Sequence, residues 1–256
     1  MIPALIHSAP DRAGERYLAL LASFRGVLQA SVQSDHPFEL RAVESARAGL
    51  YGVARTYLAT ERALLDTAGH DIAQGALIDG LRDIGVSETA RDVPARVSAH
   101  LSASGEHLLR EVSTQIERDV TNVERVLRTV ALDVDLRARS QGISDRAALI
   151  QVRANPPPEM RFYFSDRLSR KWPSQKFVRT AWRQHLLHAY NETYLLTLAD
   201  HGFTEAEVRH PDSKHHFDRL RFSIYPGGKL PSYAEIREEA FHPNSEAVVR
   251  LAGAGE

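Results

Sequence analysis

Residues 109–134, LREVSTQIERDVTNVERVLRTVALDV, carry the most regular pattern in this 256-residue chain. Leu109, Val112, Ile116, Val120, Val123, Leu127, Val130 and Val134 follow steps of 3, 4, 4, 3, 4, 3 and 4. At about 3.6 residues per helical turn, such steps keep every apolar side chain on one stripe, as in coiled coils and helical bundles. Glu117, Arg118, Glu124, Arg125 and Arg128 fall on other faces. The spacing predicts one long helix between Ser104 and Arg139. A bundle helix within the chain is the plainer reading, and a helix that zips to another subunit the sharper one.

Toward the N-terminus, Tyr17, Leu20, Leu21, Phe24, Val27, Leu28 and Val32 predict an amphipathic helix over 11–33, stopped before Pro37. A second helix is expected over about 39–67. Gly69, Gly75, Gly80 and Gly85 then suggest short helices separated by turns. Toward the C-terminus, Gln141-Gly142 ends the striped helix and Ser144 is placed to cap a short one over 145–153. Asn155-Pro156-Pro157-Pro158 reads as a stiff connector and the best domain boundary, separating a helical domain, 1–155, from a smaller α+β domain, 156–256. Within the latter, a helix is expected over Ser174–His201 and strands over 207–210, 221–225 and 247–251, with Pro226-Gly227-Gly228 as a turn. The expected fold class is α+β: a mostly helical N-terminal part with a long bundle helix, then a mixed C-terminal part.

Composition narrows the chemistry. With no cysteine, disulfides, thiolate catalysis and cysteine-ligated zinc are excluded. Lys plus Arg number 32 against 33 Asp plus Glu, a net charge of -1, unlike the basic excess of a dedicated nucleic-acid binder. No apolar run approaches the roughly 18–20 residues a bilayer demands, and Met1–His7 lacks the features of a signal peptide, so a cytoplasmic, membrane-free protein is expected.

Two clusters are candidates for binding. Arg167, Arg170, Lys171 and Lys176 surround Trp172, and Arg179 and Arg183 continue along one helix face. Such cations can hold phosphates of DNA while the indole stacks on a base; a solvated helix entrance is the plainer reading. His201, His210, His215, His216 and His242, with Asp212 and Asp218, offer imidazole and carboxylate ligands for a divalent metal. Their spacing matches no ligand motif, and neighbouring residues on a strand face opposite ways. Loop histidines are therefore the favoured reading, with no metal and no cofactor expected. No Gly-rich phosphate loop and no nucleophile elbow is present, and no catalytic residue is nominated.

The C-terminal segment resembles the Mu gpF-like family of phage minor head proteins. Three blocks carry the resemblance: Ser165–Trp172, including Asp166 and Trp172; the helix from Val178 through Tyr190-Asn191-Glu192 to Gly202; and the run from His210 through Leu230-Pro231-Ser232-Tyr233 to His242-Pro243-Asn244-Ser245. Serine stands at 245 where the family commonly has cysteine. The family's paired cysteines, which suggest a bound metal in some members, have no counterpart here. The resemblance covers about 90 of the 256 residues. It implies a non-catalytic virion protein, oligomeric or ring-associated, that meets portal and capsid or neck proteins during head morphogenesis and DNA packaging. It also implies a location in the host cytoplasm and then in the virion. The family's C-terminal fold is similar to that of ADP-ribosyltransferases, so the alternatives are such an enzyme, with Arg161 or Arg179 and Glu238 or Glu239, or a His/Asp metal-dependent nuclease.

Overall fold

A computed structural model describes residues 4–34, 40–86, 92–154, 161–165, 168–242 and 245–253. Four helices come first: α1 (Leu5–Gln33), α2 (Leu40–Asp83), α3 (Ala95–Gln141) and α4 (Asp145–Ala154). A hairpin of β1 (Tyr163–Ser165) and β2 (Lys171–Pro173) leads into α5 (Ser174–Asp200). Then follow β3 (Glu205–Arg209), β4 (Arg221–Ser223), α6 (Tyr233–Ala240) and β5 (Val248–Leu251). The chain is a mostly helical α+β protein, as expected. Among the described residues, no helix is long and apolar enough to cross a membrane.

The eight stripe residues of α3 are all buried against their own chain, the most exposed at 9%. The stripe is therefore a bundle seam, and it leaves no open face for a second subunit to zip onto. Three helices stop in the same way. Gly85, Gly142 and Gly202 take φ of +74°, +63° and +83°, where a side chain would be strained. The residue after each donates its N–H five residues back: Val86 to Leu81 O at 2.9 Å, Ile143 to Ala138 O at 3.1 Å and Phe203 to Leu198 O at 3.1 Å. Ser144 Oγ accepts the Ala147 N–H at 3.3 Å at the start of α4.

Two expectations need correction. The second helix does not end near residue 67, because α2 continues unbroken to Asp83 through Gly69, Gly75 and Gly80. Gly80 supplies close approach rather than a turn: a Cβ there would stand 2.9 Å from Thr197 Cγ2 of α5. The first helix starts at Leu5, ahead of Pro10, and the burial of Ile6, Ala9 and Ala13 offsets the hydrogen bond that proline forfeits.

The described chain forms two compact units that interleave in sequence. One comprises Met1–Ala13, Arg62–Leu108 and Val178–Glu256; the other comprises Gly14–Glu61 and Leu109–Phe177. The boundary expected at 155/156, with its triple proline, lies outside the described residues. In the first unit the sheet runs β4-β3-β5, all antiparallel, with Ala206 opposite Phe222 and Val208 opposite Val249. Helix α5 is bonded to the edge strand: Asn191 Oδ1 accepts the Val249 N–H at 3.0 Å, and the Tyr194 hydroxyl accepts the Leu251 N–H at 2.9 Å. Arg250 of β5 donates to Asp79 of α2 from both Nη atoms at 3.2 Å, and Nη1 lies 3.5 Å from Asp83. Tyr190 and Tyr194 donate to the same two carboxylates, with Tyr190 Oη 2.5 Å from Asp79.

The second unit joins α1 to α2 through Arg16, which pairs with Glu61 at 2.5 and 3.0 Å, and joins both to α3 through Tyr17, whose ring meets that of Tyr57 edge-on at 5.6 Å and whose hydroxyl donates to Asp119 at 2.7 Å. Arg153 of α4 donates to Val32 O and Ser34 O at 3.0 and 2.7 Å, tying α4 to the end of α1.

Candidate functional site

The stripe of α3 has a polar neighbour that the apolar pattern hides. Gln115, Arg118, Asp119, Asn122 and Arg125 recur at helical spacing beside it, within the second unit. Two amides on this face hold the extended segment before β2. Asn122 Nδ2 donates to Arg161 O at 2.9 Å and Gln115 Nε2 to Tyr163 O at 3.4 Å. A cleft of about 440 Å³ results, lined by Arg118, Asp119, Thr121, Asn122, Arg125, Tyr163 and Ser165.

Asp119 lies at its base, 2% exposed. Oδ2 accepts the Tyr17 hydroxyl at 2.7 Å; Oδ1 accepts Ser174 Oγ at 3.1 Å and Gln115 Nε2 at 3.2 Å. Burial dominates these bonds and lifts the carboxyl to about 6, while the donors and Arg118 pull the other way. The same burial, with Asp119 alongside, raises the Tyr17 phenol far above its ordinary value, so it stays a donor.

The hairpin register puts Ser165 opposite Lys171 and Phe164 opposite Trp172, so each pair shares a face. Lys171 Nζ sits 4.6 Å from the centre of the Tyr163 ring, beside the cleft. Around Trp172 stand Lys176 Nζ at 4.1 Å and Arg170 at 5.6 Å. The expected basic–aromatic cluster thus exists for Arg170, Lys171, Trp172 and Lys176, while Asp166 and Arg167 lie outside the described residues. Arg179 and Arg183 belong to the first unit and are engaged there, with Asp11 at 2.6 Å and Glu246 at 3.1 Å.

The late histidines sit in a turn-rich loop, not on a strand. His210 stacks on His215 at 4.0 Å and His215 on His216 at 4.7 Å. Rings lying nearly parallel at this separation present faces to one another, not converging nitrogens. Among the described residues no group of three or more His, Asp or Glu is arranged to hold a metal ion. His210 Nδ1 accepts the Asp212 N–H at 3.0 Å, and Asp218 Oδ1 accepts the His210 N–H at 2.9 Å. Desolvation and the neighbouring His210 and His216 lower the His215 pKa. His242 is exposed, and Pro243 and Asn244 lie outside the described residues. Ser245, buried, donates to Ala240 O at 2.7 Å and accepts the Ala247 N–H at 3.0 Å, so it closes the end of α6. A Ser/His pair also occurs in the first unit, where Ser104 Oγ and His185 Nδ1 lie 2.9 Å apart. Burial lowers His185 to about 4, so the imidazole is neutral at pH 7, and among the described residues no carboxylate hydrogen-bonds its ring.

Compared with known proteins, the chain matches no family model, no curated protein and no solved structure.

Proposed function

We propose that the chain is a non-catalytic structural protein of a phage-like particle, a minor head protein that joins portal and capsid or neck components during assembly and DNA packaging. The observation that carries this reading is how the second and third resembling blocks fold upon each other. Helix α5 buries Trp182, Tyr190 and Tyr194, and Arg237 of α6 reaches it at His188 Nδ1, 3.2 Å away, and at Glu192, 3.6 Å away, within one unit. Ser245, standing where the family commonly has cysteine, has a purely structural task at the end of α6. The buried α3 seam supports a rigid helical scaffold suited to protein contacts. No observation favours the enzymatic readings: Glu238 and Glu239 are exposed on α6, and Arg179 is engaged by Asp11.

The test is gradient fractionation of the lysate in which the chain is naturally made, with mass spectrometry to locate it. Co-sedimentation with portal and capsid proteins at a low, fixed ratio is expected. Recovery only as a light, free species would overturn the reading.

A further inference from the structure

From the α3–β1 cleft we infer that the second unit binds a small phosphate ester, its oxyanion held by Arg118 and Arg125 and its hydroxylated body lying over Asp119. This site is independent of the virion reading and shares only Lys171 with the Trp172 cluster. Three observations meet there.

The first is the state of the two arginines. Arg16, Arg47, Arg179, Arg183 and Arg250 each lie within ion-pair distance of a carboxylate. Among the described residues, Arg118 and Arg125 make no such pair. Arg118 Nη1 touches only the Gln115 amide oxygen at 3.4 Å, its guanidinium packed 5.8 Å from the centre of the Phe164 ring, and Arg125 donates to Asn122 Oδ1. Both side chains are thereby positioned by neutral groups and keep donors for a fork-like contact with an oxyanion. Seven residues apart, they lie two turns along one helix face, about 10 Å between backbone positions. Helical side chains lean toward the N-terminus, so Arg125 reaches back toward Asn122 and over the cleft.

The second is the supply of other donors. Tyr163 and Ser165 line the cleft, and their hydroxyls make no hydrogen bond within the described residues. Thr121, in contrast, spends its proton on Glu117 O at 2.8 Å. Lys171, beside Tyr163, adds a cation to the same side.

The third is Asp119. A carboxylate has about four lone-pair sites, and Tyr17, Ser174 and Gln115 fill three. One remains for a ligand hydroxyl. A buried carboxyl in an otherwise cationic cleft selects against a bare anion and for an anion that carries a donor. The volume agrees: about 440 Å³ falls within the usual range for small-molecule sites, roughly 300–1,000 Å³, and far exceeds a phosphate ion alone.

Isothermal titration of the full chain against a 5′-mononucleotide, a sugar phosphate, inorganic phosphate and a 20-mer single-stranded DNA tests this. Either phosphate ester is expected to bind at least 10-fold more tightly than inorganic phosphate. Arg118→Gln and Arg125→Gln should each weaken that binding at least 10-fold, whereas Arg139→Gln, at an exposed ion pair with Asp135, leaves it unchanged. Circular dichroism of the variants separates lost binding from lost folding; Arg118 and Arg125 are exposed, so the fold is expected to stand. Binding of the DNA alone would overturn the proposal in favour of a strand contact. No binding of any ester, or binding indifferent to both arginines, would overturn it outright.

Discussion

Replacing Arg250 with alanine should be among the most destabilising single changes in the first unit. The guanidinium serves Asp79 twice at 3.2 Å and Asp83 at 3.5 Å, and its charge lies 5.7 and 5.5 Å from the ring centres of Tyr190 and Tyr194. Asp79 and Asp83 stand four residues apart on α2, so without the cation two like charges face each other, Asp79 keeping the Tyr190 hydroxyl and the exposed Arg82 at 3.3 Å, and Asp83 keeping the Tyr194 hydroxyl. Removing one member of a buried ion pair costs about 3–5 kcal/mol. The side chains here are 14%, 18% and 23% exposed, so screening places the loss near the lower end, about 3 kcal/mol. At roughly 2–4 °C per kcal/mol for a chain of this size, the melting midpoint should fall by about 6–12 °C. Urea unfolding followed by circular dichroism gives the free energy directly. The double variant Asp79→Asn/Arg250→Ala should recover part of the loss, because one unpaired charge is gone. A loss below about 1 kcal/mol for Arg250→Ala, or strict additivity in the double variant, would mean that the network does not anchor β5 to α2.

Gly80→Ala should lower stability by about 1 kcal/mol, the clash with Thr197 outweighing a helix-propensity gain of about 1 kcal/mol, while Gly75→Ala, with nothing within 4 Å, should raise it; thermal melts with equal shifts would refute the close-approach role. Asp119, lifted from 3.8 to about 6, binds its proton more tightly folded than unfolded. Its contribution is therefore fully present below about pH 4 and is lost as pH rises through 6, a swing of about 3 kcal/mol. Asp119→Asn should flatten stability against pH over that window, and an unchanged slope in urea titrations would refute the assignment. A fragment ending at residue 155 keeps Arg62–Leu108 but removes Val178–Glu256 from the same unit, so Asp79 and Asp83 lose Arg250 and Gly80 loses Thr197. It is expected to self-associate in gel filtration; a well-folded helical monomer would instead uphold the boundary at the triple proline.

What the sequence reveals here depends on whether a residue's role is local. The α3 seam, the glycine stops at 142 and 202, the Ser144 cap and the three C-terminal strands follow from spacing and backbone preference within a few residues, and each stands where expected. Helix α6 was not among the expected elements, although its start is equally local: the Ser232 N–H donates to Glu235 at 2.6 Å, as in a capping box. Gly80 was not local, because the same residue breaks a helix in isolation and permits close packing when Thr197 arrives from another part of the chain. The cleft is the extreme case. Gln115, Asp119 and Asn122 carry no signal on their own helix, and their partners Tyr17, Arg161, Tyr163 and Ser174 come from distant parts of the chain. The conspicuous charges behaved in the opposite way, for Arg179 and Arg183 met carboxylates distant in sequence and lost their availability. A cation becomes informative when the fold sets it beside a cleft without a carboxylate partner, and in the second unit Arg118 and Arg125 are of that kind.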